Sequence, residues 1–323
     1  MKMKKYVLFA VVSVFACCAF AGQINKEAKQ FKYSTTIEKE RPQLNEATKK
    51  LIAAYRKNPT KENYNALKKQ VELNYDAVIA RKQAKLQELK KTAKHASKIA
   101  EMEEIVSDVI KDRQNRIEQS MRRFTDPRLR PNARSVSGGF LPVLGAAQNV
   151  NIAYTPVTNA QFAEFVKATN AKAPKDWQNG AVASGKENLP VVNVSYETAV
   201  KYCIWLSEKD KGATYRLPTE TEWEYAAGHM PKDADFNCGV QKSLSNVFAY
   251  SKTLSASGAI DMWGNCWEMT STCVSKNGKT QIKVKGGAFD SPRMSCRTEY
   301  RDETRDANSA YGNVGFRVVR QTK

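Results

Sequence analysis

Asp261-Met262-Trp263-Gly264-Asn265-Cys266-Trp267-Glu268 gathers two of the chain's five tryptophans around one glycine. It belongs to a C-terminal region that, beyond Gly228, consists of short apolar pieces set between Gly, Ser and Asn. Upstream of it, helix starts stand out. Thr158-Asn159-Ala160-Gln161 and Thr219-Glu220-Thr221-Glu222 are Thr-x-x-Gln/Glu capping boxes, and Ser195 is placed to cap a third helix after the strand-like run Val191-Val192-Asn193-Val194. Downstream, Ile282-Lys283-Val284 alternates like a half-buried strand, and Phe316-Arg317-Val318 closes the region in the same way. The expected architecture is α+β with much irregular loop, beginning near residue 139.

Six blocks of this region occur in a recognisable order. They are Val157-Thr158-Asn159-Ala160-Gln161-Phe162, Pro190-Val191-Val192-Asn193-Val194-Ser195, the run Arg216-Leu217-Pro218-Thr219 through Trp223-Glu224-Tyr225, the block Asp261 through Glu268, Lys285-Gly286-Gly287, and Gly312-Asn313-Val314-Gly315-Phe316-Arg317. In this order they resemble the formylglycine-generating enzymes, the sulfatase-modifying-factor family. The resemblance implies a C-type-lectin-like fold over residues 139–323, held by buried Trp, by Gly turns and in some members by calcium.

Activity is a separate matter, because one fold hosts several. Family enzymes oxidise a substrate cysteine to formylglycine with O₂ and copper(I), which two cysteines hold shortly after the Gly-Gly. Soft thiolates suit copper(I), and a linear site needs two. Aligned on Gly286-Gly287, the first position falls on Ser291 and the second on Cys296, so one ligand is missing and the resemblance disfavours copper. Ala288 and Pro292 also depart from the enzyme pattern. Cys266 or Cys273 is the candidate to approach Cys296, the alternative being a structural disulfide. Trp267 matches the family's active-site tryptophan, or else anchors the core together with Trp223. For calcium, the resemblance points to the Asp261 side chain with the backbone oxygens of Met262, Gly264 and Cys266. A second calcium loop starting at Asn246 and Val247 finds no acid before Asp261 and is expected to be lost.

Toward the N-terminus the composition changes. From Tyr64, apolar residues recur at helical spacing: Leu67, Val71, Tyr75 and Val78, then Leu86, Leu89, Ala93, Ala96 and Ile99. The stripe resumes at Val106, at Val109 or Ile110, and at Ile117 and Met121. Asn58-Pro59-Thr60 separates it from an earlier helix over residues 45–56, with Thr60 as an N-cap. Residues 22–125 thus predict long helices in an antiparallel hairpin or coiled coil, suited to a stalk, to self-association or to packing on the domain. Residues 126–138, rich in Pro, Arg and Ser, read as a linker. Residues 1–21 read as a signal peptide: Lys2, Lys4 and Lys5 precede an apolar stretch, and Ala19-Phe20-Ala21 offers a cleavage site. Val14-Phe15-Ala16-Cys17 leaves lipoprotein processing at Cys17 open, and an uncleaved anchor is the third reading. The expected location is therefore outside the cytoplasm, periplasmic, in the envelope or secreted.

The formal charge of +19 in an exported chain suits an anionic envelope or extracellular polymer or protein, not nucleic acid. Two histidines, His95 and His229, exclude a three-histidine metal centre and leave an iron oxygenase without ligands. Neither sits in a hydrolase motif. The five cysteines after the signal are an odd number. The expected function is a non-catalytic binding or structural module whose contact surface includes Arg293, Arg297 and Arg301, the alternative being a formylglycine-generating oxidase.

Overall fold

A computed structural model describes residues 44–92, 96–130, 139–143, 145–147, 149–231, 234–239, 243–276 and 278–323. The signal segment, Cys17 and most of the stretch read as a linker lie outside these. The described residues divide into two compact units, one within residues 41–136 and one within residues 137–323.

The first unit is helical. Helix α1 (Glu46–Lys57) starts where the Asn45 side chain accepts the Thr48 amide at 2.8 Å. Helix α2 (Lys61–Thr92) is capped by Thr60, whose hydroxyl accepts the Asn63 amide. At 1.5 Å per residue α2 is roughly 48 Å long. Helices α3 (Ala96–Lys111) and α4 (Arg113–Thr125) run back along it. The antiparallel direction follows from Lys90 paired with Glu103 at 2.7 Å, Asp76 with Arg113 at 2.7 Å and Tyr75 with Ser120 at 3.0 Å. Leu67 and Val71 of α2 meet Ile52 of α1 and Ile117, Met121 and Phe124 of α4, while Leu86 meets Met102 and Val106. Val109 turns inward at 5% exposure and Ile110 outward at 46%, so helical geometry settles that alternative. The unit is therefore a hairpin thickened at one end by α1. Beyond α4, Asp126 caps a 3-10 turn at Pro127–Leu129 and binds the Arg128 guanidinium. No helix among the described residues is long and apolar enough to cross a membrane.

The second unit is mixed α and β. Strands β1 (Phe140–Pro142), β2 (Val150–Ala153), β3 (Ala213–Arg216) and β8 (Val319–Thr322) form an antiparallel sheet in the order β1-β2-β8-β3. Strands β4 (Trp267–Lys276), β5 (Lys279–Lys285), β6 (Thr304–Asp306) and β7 (Val314–Gly315) form a second sheet, β6-β5-β4-β7, in which only β4 and β7 are parallel. Helices α5 (Asn159–Thr169) and α7 (Glu220–Ala227) begin with complete capping boxes from Thr158/Gln161 and Thr219/Glu222. Helix α6 (Tyr196–Lys209) begins at Ser195.

Two stretches differ from the strand pattern their sequences suggest. Residues 191–194 join neither sheet. Their backbone is spent on single bonds to scattered partners, the Val191 amide to Val157 and the Asn193 amide to Tyr311. Phe316-Arg317-Val318 is not half-buried, because all three are inside and Arg317 has zero exposure. Burial is possible because Glu268 faces Arg317: Nε reaches Oε2 at 2.6 Å and Nη2 reaches Oε1 at 2.7 Å. The guanidinium also donates to the carbonyls of Ala153, from Nη1, and of Ile260 and Asp261, from Nη2, each at 3.1 Å. The Trp223 indole completes the shell by donating to Glu268 at 2.7 Å.

This pair lies between two apolar clusters. One holds Phe162, Phe165, Tyr202, Trp267 and Phe316, and the other Ile152, Trp223, Trp263, Phe236 and Cys296. Removing one member of a buried pair leaves the other charge uncompensated, at a cost of about 3–5 kcal/mol. Arg317→Leu is therefore expected to lower unfolding free energy by about that amount in urea titrations. The double variant Glu268→Leu/Arg317→Leu should recover part of the loss. A loss under about 1 kcal/mol in Arg317→Leu would show that the pair does not support the fold.

Candidate functional site

The Gly-Gly turn after β5 organises the candidate site. Gly286 and Gly287 have φ of +95° and +77°, a region that L side chains rarely enter. Space forbids a side chain as well. A Cβ on Gly286 would stand 2.8 Å from the Met262 carbonyl oxygen, and one on Gly287 2.2 Å from the Cys296 sulfur. The turn thus lets the Asp261 to Glu268 segment and the 3-10 turn Arg293–Cys296 close on one backbone, with the Gly264 amide donating to the Gly286 carbonyl at 2.7 Å.

Ser291 and Cys296 do not form a ligand pair. The Ser291 hydroxyl turns back to accept the Ala288 amide at 3.0 Å, closing a tight loop. Cys296 has zero exposure; its thiol donates to the Pro292 carbonyl at 3.7 Å and interacts with Cys238, which packs against the same apolar cluster. The interaction with Cys238 and burial push the Cys296 thiol well up, against the smaller opposing effects of the Arg293 guanidinium and the Gly264 amide. Neither Cys266 nor Cys273 takes this place. Cys266 lies against the Gly315 backbone and Cys273 on β4 within the aromatic cluster. All five described cysteines are thiols. Cys238 was invisible as a partner because it stands 58 positions before Cys296 and no motif contains it.

Trp267 is 3% exposed and packs beside Tyr300, with ring centroids 6.1 Å apart. It anchors the aromatic cluster, whereas Trp223 belongs to the other. The two tryptophans are both core residues but not one anchor.

The Asp261 to Cys266 segment is buried throughout. Asp261 has φ +59°, and its Oδ2 accepts the Asn265 side-chain amide at 2.6 Å while Oδ1 is buried without a hydrogen-bond partner. Burial pushes its carboxyl up to about 8, against the Asn265 bond and the Arg317 charge. An unpartnered carboxyl oxygen, once its proton is displaced, fits one ligand of a hard cation, which takes six to eight oxygens. Among the described residues no group of three or more His, Cys, Asp or Glu side chains gathers there, so any remaining ligands must be carbonyls, amides or water.

The three arginines are tied in. Arg301 forks onto Glu224 at 2.8 and 2.6 Å. Arg293 lies over the Phe236 ring at 4.4 Å and donates to the Ala234 carbonyl at 2.8 Å. Arg297 follows the 3-10 turn and is half-buried. Glu224 also receives the Lys285 ammonium at 2.9 Å. Lys285 has zero exposure and donates further to the carbonyls of Thr298 and Tyr300, each at 2.7 Å.

An α+β domain built on this Gly-Gly turn and on the Trp-Glu and Phe-Arg blocks is of the formylglycine-generating-enzyme class. Residues 146–322 match the family described as sulfatase-modifying factor enzyme 1-like domain, and the chain belongs to that family. It is 31% identical over 162 residues to a Mus musculus protein named inactive C-alpha-formylglycine-generating enzyme 2, covering 42% of this chain and 50% of that one. It is 26% identical over 247 residues to the formylglycine-generating enzyme of Streptomyces coelicolor, covering 51% and 76%. The chain thus spans about half the length of the mouse relative. The solved structure of PvdO from Pseudomonas aeruginosa is similar at 20% identity and a TM-score of 0.44, over 57% of this chain and 91% of that one.

Burial alone would raise the Glu224 carboxyl, but Arg301 and Lys285 outweigh it and hold the group below its ordinary value. A depressed carboxylate contributes stability that is complete above its unfolded pKa and is lost as pH falls through the folded one. Stability is expected to fall on acidification below about pH 4.5, and Glu224→Gln should be weaker at pH 7 with a flatter acid limb. Chemical denaturation at stepped pH checks this. An unchanged acid limb in Glu224→Gln would contradict it.

Proposed function

We propose that this domain is an exported, non-catalytic member of its family that works by binding. The observation that carries the proposal is Ser291. At the position where the family's first copper thiolate falls stands a hydroxyl, already committed to the Ala288 amide. A hydroxyl is a hard, protonated donor at neutral pH and does not replace a thiolate for copper(I). The name of the mouse relative, an inactive form, supports the same reading. The ligand is an envelope or extracellular protein or polymer, met at the face carrying Arg293, Arg297 and Arg301, and the helical unit serves as stalk or self-association device.

A second reading, the formylglycine-generating oxidase, is favoured by one observation, the Cys238 thiol beside Cys296. The two readings separate in one assay. The purified chain is loaded with copper(I), then given O₂, a reductant and a peptide bearing Cys-x-Pro-x-Arg, with mass spectrometry following conversion of cysteine to formylglycine. The binding-module reading expects no conversion and no retained copper. Conversion that disappears in Cys296→Ser would establish the oxidase instead.

Calcium at Asp261 is proposed as the structural ion, with the backbone oxygens of Met262, Gly264 and Cys266. Because burial keeps the Asp261 carboxyl protonated up to about pH 8, calcium must displace a proton there. Its effect is therefore expected to grow with pH. Melting temperature should rise with calcium over EDTA more at pH 8.5 than at about pH 6, and Asp261→Ala should remove the increment. No calcium-dependent shift at either pH would rule out the site.

A further inference from the structure

We infer that Cys238 and Cys296 form a thiol–disulfide exchange site, which reacts with an external disulfide and closes to an intrachain Cys238–Cys296 bond. Three features carry this beyond the binding role. First, the two residues are neighbours: Cys238 packs against the apolar cluster that holds Cys296, and the two thiols interact. Second, access is unequal. Cys238 is half-buried on a segment without regular structure, next to exposed Gly239, while Cys296 has zero exposure. The remaining cysteines, Cys203, Cys266 and Cys273, are buried at 2%, 1% and 9% exposure. Third, Cys296 is backed against the Gly287 backbone and cannot retreat, so the approach falls to Cys238.

The chemistry runs in two exchanges. The Cys238 thiolate attacks one sulfur of an external disulfide, a low-molecular-weight or protein disulfide R–S–S–R, forming a mixed disulfide and expelling one thiolate. Cys296 sulfur, on losing its proton to solvent or to that departing thiolate, then attacks the Cys238 sulfur and expels the second. Two electrons pass from the dithiol to the external disulfide. Two R–SH leave, and the only bond formed in the protein is Cys238–Cys296. Placement favours this order, since an incoming disulfide reaches Cys238 and not Cys296.

The test uses the full chain, reduced and then held in buffers of stepped reduced-to-oxidised glutathione ratio without denaturant. The mixtures are acid-quenched, alkylated and mapped by peptide mass spectrometry. A single linked peptide pair, Cys238 with Cys296, is expected, the two thiols disappearing at one shared midpoint. In Cys296→Ser the reaction should stop at a glutathione adduct on Cys238, and in Cys238→Ser the Cys296 thiol should persist at every ratio. Three results on the wild-type chain would each overturn the inference: a stable Cys238 adduct with Cys296 still a thiol, a dominant bond from either residue to another cysteine, or no loss of thiols at any ratio. Because the wild-type map decides alone, poor folding of either variant does not blunt the test.

Discussion

Glu268 and Arg317 meet almost wholly out of water, and β2, β4, α7, the Ile260-Asp261 segment and the link between β7 and β8 come together at that meeting. Bringing two ions out of water costs several kcal/mol for each, and attraction offsets this only when geometry is close and every remaining hydrogen finds an acceptor. Here the fork is bidentate, and three carbonyls and one indole fill the rest of the shell. The acceptors come from β2 and from the Ile260-Asp261 segment, the acid from β4, the indole from α7 and the arginine from between β7 and β8. Any other register leaves a buried charge without partners. The pair therefore specifies the arrangement more than it adds net stability, since an apolar pair of the same shape would avoid the desolvation cost.

The Gly-Gly turn is the second constraint and acts by exclusion. Two residues without side chains bring Trp223, Met262 and Cys296 onto one backbone. Lys285, just before the turn, carries its charge inward onto Glu224 and two carbonyls. Burial pulls its pKa down while Glu224 pushes it back up, and the net shift is downward. Glu224 in turn holds Arg301. An arginine that looks like a free contact residue in sequence is partly committed to the fold, so a ligand on this face would meet Arg301 with its charge already shared.

What the sequence disclosed is what depends on neighbours along the chain. A capping box needs only four residues, so the starts of α5 and α7 were readable from Thr158 and Thr219. The stripe of α2 to α4 was readable because helical spacing is local, and only the choice between Val109 and Ile110 waited for the opposing helix. Residues 191–194 and 316–318 misled for the opposite reason. Alternation reports burial of one face, but residues 316–318 are wholly inside, residues 191–194 are buried except for half-buried Asn193, and both stretches bond to scattered partners, which a local pattern cannot distinguish from a strand. One signal for Arg317 was present, a charged residue inside the apolar run Phe316 to Val319, matched by Glu268 inside Trp267 to Met269. Cys238 carried no such signal, because its significance lies wholly in the tertiary fold.

A hydroxyl at Ser291 fits the fold because the scaffold's main constraints lie in other atoms. The ion pair, the Gly-Gly turn, the indoles and the capping boxes contain no sulfur, and none of them needs a metal to satisfy its hydrogen bonds. Ser291 closes the loop it occupies, its hydroxyl accepting the Ala288 amide at 3.0 Å. A domain organised in this way keeps its shape when its chemistry changes. Cys296 is pressed against Gly287, with Cys238 packed against the same cluster.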